Sequence, residues 1–192
     1  MRRAVFAVCG LLALSFSGAA FAQQAMMVFG GGYARDCYHA VKDREPALKA
    51  LGVCNTAIGE EDLSRINLAS TLVNRGIVYM REENYDRAMR DYDRALKLMP
   101  DMPEIKINLG AMLYHMGQFR EAIDALNAGV KAEDTDARAA GFYNRALAYE
   151  RLGEVQLAYD DYRAALAVIP GYPPAERQLR RFSVLPAGEA GS

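Results

Sequence analysis

Matched small, polar and apolar positions recur at a nearly fixed spacing between residues 69 and 172. Asn74 is followed by Asn108 and Asn144, at intervals of 34 and 36 residues. The same two steps link four further sets of small or apolar residues: Gly76, Gly110 and Ala146; Tyr85, Phe119 and Val155; Ala88, Ala122 and Ala158; and Leu96, Val130 and Leu166. A period of this length is typical of stacked repeats, and each unit reads as two helices and a turn.

The pattern predicts helix pairs over 65–82 and 85–98, over 103–116 and 119–132, and over 137–152 and 155–168. Ser64 is a candidate N-cap for the first of these helices. Two shorter helices are predicted over 35–58, because Leu48, Leu51 and Cys54 share one apolar face. A closing helix is predicted over 173–183, with Leu179 and Phe182 covering the last repeat.

These residues resemble the tetratricopeptide repeat (TPR) family. The family pattern is a bulky residue, Leu-Gly, Tyr, Ala, an aromatic residue, Ala and Pro. The first unit reads Leu72, Arg75-Gly76, Tyr79, Ala88, Tyr92, Ala95, Pro100, and the third reads Phe142, Arg145-Ala146, Tyr149, Ala158, Tyr162, Ala165, Pro170. The second unit departs from the pattern at Lys106, Gly129 and Asp134.

The resemblance implies an all-α, right-handed solenoid of stacked antiparallel helix pairs. Its repeats are expected over 65–102, 103–136 and 137–172, after a degenerate helix pair and connector over 35–64. In such solenoids the first helices of successive repeats line a concave groove that holds a peptide or a segment of another protein. Carried over position by position, the groove residues are Asn74, Ile77, Met80, Arg81, Ile107, Asn108, Tyr114, Tyr143, Asn144, Leu147 and Arg151.

Two features of this expected groove are informative. The three asparagines form a ladder of amides, which suits the main chain of an extended ligand; alternatively they bond to neighbouring helices or water. The apolar lining predicts an exposed strip rimmed by polar groups; partial burial under adjacent helices is the alternative. A clamp for a C-terminal carboxylate is disfavoured, since the relevant positions hold Val73, Ile77, Asn108, Ala140 and Asn144.

The N-terminus has the pattern of a secretory signal. Arg2 and Arg3 precede an apolar run over 4–16, and Ala20-Phe21-Ala22 is a cleavage sequence. The apolar run is shorter than the ~20 residues that span a bilayer, although an uncleaved anchor is an alternative. We therefore expect an exported protein, periplasmic or secreted, with no membrane span after cleavage near Ala22. A flexible arm over 23–34 and a disordered tail over 184–192 are also expected.

Cleavage over 1–22 removes Cys9 and leaves Cys37 and Cys54, an even pair in an exported chain. Aligned with the repeat pattern, the two cysteines fall on facing positions of the N-terminal helix pair, which implies a disulfide. Free thiols, redox chemistry and a metal site remain open alternatives. A redox pair normally places its cysteines two residues apart, and a zinc site could recruit His39 but few other ligands.

Charge and motifs favour binding over catalysis. The net charge of the whole chain is −1, so no strong field attracts nucleic acid. Phosphate-binding loops, nucleophile elbows and H-E-x-x-H motifs are absent from the sequence, and no cofactor or metal is expected. Five acidic residues are interpreted as ordinary exposed helix surface, and these are Asp86, Asp91, Asp93, Asp160 and Asp161. Arg177, Arg180 and Arg181 are expected to face water, with an anion site as the alternative.

The sequence therefore predicts a non-enzymatic adaptor of the cell envelope that binds a peptide or protein segment in its groove. One alternative is a structural subunit that docks through its convex face or self-associates. The other is a thiol or metal enzyme centred on Cys37 and Cys54.

Overall fold

The computed structural model describes residues 5–8 and 32–185, with side chains described over 32–182. This part of the chain contains nine α-helices and two short strands. The helices are α1 Tyr33–Lys42, α2 Ala47–Glu60, α3 Arg65–Arg81, α4 Tyr85–Leu98, α5 Pro103–His115, α6 Phe119–Gly129, α7 Thr135–Arg151, α8 Val155–Val168 and α9 Pro173–Leu179. The strands are β1 Val5–Val8 and β2 Phe182–Leu185.

Consecutive helices pack in pairs, so that α1 to α8 form four hairpins stacked in chain order. The first helices of neighbouring hairpins also contact each other, and they do so more extensively than the second helices do. The stack is therefore narrower on the side of the first helices, which makes that layer the concave one. The predicted solenoid of helix pairs is confirmed.

The helix boundaries follow local signals that the sequence contains. The Ser64 side chain accepts a hydrogen bond from the Asn67 amide, as expected for an N-cap. Helix α7 begins at Thr135, two residues earlier than predicted, because the Asp134 carboxylate caps it by accepting from the Ala137 amide at 2.8 Å. Helix α6 ends at Gly129 instead of residue 132.

The first and second repeats each contain a close approach between their two helices. A Cβ added to Gly76 would lie 2.6 Å from Cε1 of Tyr92, and one added to Gly110 would lie 2.5 Å from Cγ of Leu126. Atoms cannot approach that closely, so larger residues at these positions would push the helices apart. The large side chain of the second helix can therefore pack between the two helices only because the first helix has a glycine there.

Asp91 and Asp161 are not exposed helix surface, and that part of the prediction is wrong. They are 3% and 6% exposed, and each accepts two hydrogen bonds from an arginine of the preceding helix. The Arg75 nitrogens lie 2.6 and 2.8 Å from the Asp91 oxygens. Both distances between Arg145 and Asp161 are 2.7 Å. Bidentate pairing compensates the burial of each carboxylate, and it raises the pKa of both arginines above the ordinary value.

The same two arginines also reach back to the preceding hairpin. Nη1 of Arg75 donates to Oδ1 of Asn55 on α2 at 2.8 Å. Nη1 of Arg145 donates to Oδ1 of Asn127 on α6 at 2.9 Å. Each arginine thus holds its own hairpin closed and joins it to the neighbour.

A disulfide joins α1 to α2 at the N-terminal end of the array. Cys37 and Cys54 are both buried, with an S–S distance of 2.02 Å. The first residues of α1 were predicted to belong to a flexible arm over 23–34, but Tyr33 and Ala34 are helical. The Ala34 amide donates to Oε2 of Glu61 at 2.9 Å, which anchors this helix start. Residues 23–31 of the predicted arm lie outside the described part of the chain.

The C-terminal end is covered by α9, which is shorter than the helix predicted over 173–183. The chain leaves α9 after Leu179, and both Leu179 and Phe182 pack against the buried core of the last repeat, as predicted. Arg181 does not simply face water, since its Nη1 donates to Gln178 and lies 3.4 Å from Oε2 of Glu150.

The two strands form a small antiparallel sheet outside the helical array, with Val5 opposite Leu185 and Val8 opposite Phe182. Val184 and Leu185 therefore do not belong to a disordered tail, whereas residues 186–192 lie outside the described part. Strand β1 belongs to the predicted signal over 1–22. The other residues of that signal lie outside the described part of the chain. Within the described residues, no helix is both long and apolar enough to cross a membrane.

The disulfide yields the first testable prediction. It closes a loop of 17 residues, so its removal should cost about 3 kcal/mol of unfolding free energy in the chain-entropy model. We expect the Cys37→Ser/Cys54→Ser double variant to show this loss in urea unfolding followed by circular dichroism. Leu48→Ser, at an exposed position of the same hairpin, is the control. Two thiols that react with a labelling reagent in the unreduced wild-type protein would contradict the bond.

Candidate functional site

The four predicted groove residues of α3 are mostly covered. Asn74 and Ile77 are fully buried and Met80 is 4% exposed, because α1 packs across α3. Arg81 is half-buried, and its Nη2 donates to the carbonyl of Val41 on α1 at 2.9 Å. The expected exposed apolar strip is therefore wrong for Ile77 and Met80.

On α5, only one of the three predicted groove residues is accessible. Ile107 is buried and faces α6, since a Cβ added to Gly129 would lie 2.5 Å from its Cγ1. Asn108 is 3% exposed, and its Nδ2 donates to the carbonyl of Glu104 one turn earlier. Tyr114 is half-buried. The expectation of exposure is thus also wrong for Ile107.

On α7, the predicted groove residues divide between core and surface. Tyr143 is buried beneath Tyr172, with 6.2 Å between the ring centroids, and it also packs against Tyr162. Asn144 is buried, and Leu147 is partly buried against the core that contains Tyr143. Arg151 is exposed. The C-terminal cover thus removes Tyr143 from the surface.

The three asparagines occupy equivalent positions in the three repeats, but their amides are buried and do not form an exposed row. The Asn74 amide is enclosed and has no hydrogen-bond partner among the described residues. Asn108 satisfies its amide nitrogen within its own helix. The alternative was a bond to a neighbouring helix or to water, whereas the Asn108 amide bonds within α5.

The structure does bring three residues from two neighbouring repeats together near the turn between α5 and α6, and two of them belong to first helices. Tyr114 at the end of α5 packs against Phe119 at the start of α6, with 5.6 Å between ring centroids. The Arg151 guanidinium carbon, from α7, lies 4.5 Å from the Phe119 centroid and 6.0 Å from that of Tyr114. We call Tyr114, Phe119 and Arg151 the aromatic–arginine cluster. It combines accessible ring surface with a cation, the side-chain types enriched at binding hot spots.

Two further side chains border this cluster. Met116, in the turn between α5 and α6, is 40% exposed. The His115 ring packs edge-on against Tyr114. Burial lowers the pKa of His115 below its ordinary value, so the imidazole is neutral at pH 7. Neither of these two neighbours is charged at pH 7, so within this group Arg151 supplies the charge.

A second concave feature was not predicted from the sequence. A cleft of about 1050 Å³ opens at the N-terminal turns of α3 and α5, beside the connection between α4 and α5. Its lining includes the apolar Ile66, Met99 and Met102 and the basic Arg65 and Lys131. The connection's apolar composition, from Leu98 to Pro103, was the available signal, because connections between helices are usually polar.

No group of three or more potential metal-binding side chains occurs in the part of the chain that the structure describes. The two cysteines at the centre of the thiol-enzyme alternative are buried and joined to each other.

Comparisons with known proteins identify the repeat. Two family models, each described as Tetratricopeptide repeat, match residues 79–148 and 139–172. The chain therefore contains tetratricopeptide repeats.

Among curated proteins, the chain is similar to TPR repeat-containing thioredoxin TTL4 of Arabidopsis thaliana, at 34% identity over 110 residues. That match covers 57% of this chain and 15% of the relative. The chain is also similar to anaphase-promoting complex subunit 7 of Dictyostelium discoideum, at 28% identity over 62% of this chain and 20% of that protein. This chain thus spans a fifth or less of these relatives.

Among solved structures, PilW, described as a widely conserved type IV pilus biogenesis factor, has a similar fold with a TM-score of 0.68 at 19% identity. The similarity covers 78% of this chain and 66% of PilW. MamA from Desulfovibrio magneticus RS-1 has a TM-score of 0.59 at 24% identity, covering 78% and 82% of the two chains. At these identities the comparison shows a shared solenoid fold.

Equivalent tyrosines in the first and third repeats offer an internal test of the buried polar contacts. The hydroxyl of Tyr162 donates to Oε2 of Glu150 at 2.9 Å. In the first repeat Met80 occupies the position of Glu150, and the buried hydroxyl of Tyr92 has no partner among the described residues. Burial raises the pKa of both tyrosines, so both are neutral at pH 7.

We therefore expect opposite responses to the same substitution. Tyr162→Phe should lower the free energy of unfolding by about 1 kcal/mol, since a hydrogen bond is lost. Tyr92→Phe should leave it unchanged or raise it, because the substitution removes a buried hydroxyl without an acceptor. Each variant is the other's control in urea unfolding. Equal destabilisation of the two would show that Tyr92 has an acceptor after all.

Proposed function

We propose that this array of tetratricopeptide repeats is a non-enzymatic adaptor that binds a segment of another protein on its concave layer. The contact centres on the aromatic–arginine cluster and on the partly exposed Leu147. This is a narrower site than the groove predicted from the sequence, because α1 and α9 cover the two ends of the layer.

The observation that carries the proposal is the meeting of Tyr114, Phe119 and Arg151 where two repeats join. The Arg151 guanidinium lies over the Phe119 ring, 4.5 Å from its centroid, and a guanidinium over an aromatic face keeps N–H donors available to acceptors. A ligand segment with an apolar side chain and a carbonyl or carboxylate nearby complements this arrangement.

The cell envelope is the proposed location. The signal-like pattern over 1–22 supports export to the periplasm or secretion, with cleavage near Ala22. The disulfide supports it independently, since such bonds persist in oxidising compartments. The fold similarity to a type IV pilus biogenesis factor is consistent with an envelope setting. Cleavage would also remove β1 and release β2 from its sheet.

A second candidate function is supported by the opposite layer. Leu48 on α2 is 88% exposed and Leu157 on α8 is 44% exposed. These two exposed leucines are the basis of the second candidate, a structural subunit that docks through its convex face or self-associates. The two candidates differ in which layer the partner covers.

Matched variants on the two layers distinguish them. We expect Tyr114→Ala/Arg151→Glu to weaken capture of the partner by about 2 kcal/mol or more, roughly 30-fold in affinity, because it removes an anchor ring and reverses the charge. Leu48→Asp/Leu157→Asp should leave capture unchanged. The measurement is a pull-down from envelope extract followed by titration of the captured protein, with circular dichroism to verify helicity. The reverse pattern of losses would assign binding to the convex layer.

A further inference from the structure

We propose that the array contains one flexible joint, between the hairpins α3/α4 and α5/α6, and that bending there opens and closes the cleft beside Ile66 and Met102. Three junctions connect the four hairpins. The first joins α1/α2 to α3/α4, the second joins α3/α4 to α5/α6, and the third joins α5/α6 to α7/α8. Equivalent positions at the three junctions can be compared directly, because the repeats share one pattern.

Arginine cross-links occur at the first and third junctions. Arg75 bonds to Asn55 across the first, and Arg145 bonds to Asn127 across the third. At the second junction these two positions hold Leu109 and Asp93. Leucine has no donor, so this cross-link cannot form there. Ala125 occupies the position of the aspartate that orients each arginine.

A second equivalent position also holds arginine in the first and third repeats but not in the second. Arg81 donates to the carbonyl of Val41 across the first junction, and Arg151 stacks on Phe119 across the third. The equivalent residue at the second junction is His115.

The helices are also held further apart at the second junction. At the third, Gly141 approaches the backbone of Gly129, and a Cβ added to Gly141 would lie 3.2 Å from the Gly129 carbonyl carbon. The equivalent pair is Ala57 and Thr71 at the first junction, but Ala95 and the buried Ile105 at the second. The backbones of α4 and α5 accordingly make fewer close approaches than those of α2 and α3 or of α6 and α7.

The cleft lies at this same second junction. Its wall is formed by Ser64 to Ile66 on one hairpin and by Pro103 and Glu104 on the next, so rotation between the two hairpins changes its width. The aromatic–arginine cluster lies wholly on the C-terminal side of the joint and moves as one body with α5 to α9. Bending at the second junction is therefore independent of binding at the aromatic–arginine cluster.

Distances between spin labels test the joint against an internal standard. Arg90, Asp124 and Asp160 occupy one exposed position in three successive repeats. Nitroxide labels on cysteines introduced at Arg90 and Asp124 span the second junction, and labels at Asp124 and Asp160 span the third. The host is the full chain with Cys9→Ser and the native disulfide intact. We expect a broader distance distribution across the second junction, and equal widths would overturn the proposal.

Two exchanged sets of side chains test the cause. Asp93→Asn/Leu109→Arg/Ala125→Asp copies the third junction into the second, and it should narrow the distribution between the labels at 90 and 124. Asn127→Asp/Arg145→Leu/Asp161→Ala makes the opposite change and should broaden the distribution between 124 and 160. If the first variant fails to fold, the second still decides. An unchanged width in a folded variant would show that the arginine cross-links do not set the stiffness.

Discussion

The architecture depends on one contact inside the hairpins α3/α4 and α5/α6, where a large side chain of the second helix packs against a first-helix glycine. Tyr92 against Gly76 and Leu126 against Gly110 leave no room for a Cβ. This contact closes a hairpin but leaves its flanks apolar, so every hairpin needs a neighbour or a cover. The disulfide-linked pair α1/α2 supplies the cover at one end, and α9 supplies it at the other.

The same covers determine which part of the concave layer remains accessible. Helix α1 removes Ile77 and Met80 from the surface, and α9 with Tyr172 removes Tyr143. The free surface is left near the boundary between the second and third repeats, where Tyr114, Phe119 and Arg151 meet. A short array thus has few positions for a ligand, because a large fraction of its concave layer lies next to an end.

The helices were predictable because their signals are local, whereas the accessible site was not. Periodic apolar positions and caps such as Ser64 placed helix boundaries to within a few residues. The pairing of Arg75 with Asp91 joins residues 16 positions apart on two helices, and it depends on how the helices face each other. Burial of Ile77 likewise depends on α1, and the pairing of Val5–Val8 with Phe182–Leu185 joins the two ends of the chain. Such contacts are set by the assembled fold.

Differences between equivalent positions are therefore more informative here than the repeated pattern itself. In the first and third repeats, two buried or stacked arginines each contact the preceding hairpin. Burying an arginine–aspartate pair carries a desolvation penalty. The second repeat has Leu109 and Ala125 at the positions of that pair and Ile105 where its neighbours have Thr71 and Gly141. Leucine and isoleucine bury apolar area without fixing an angle, since apolar contacts are not directional. The second repeat thus remains packed in the core, although its angle to the first repeat is less restricted. This combination is what a flexible joint requires.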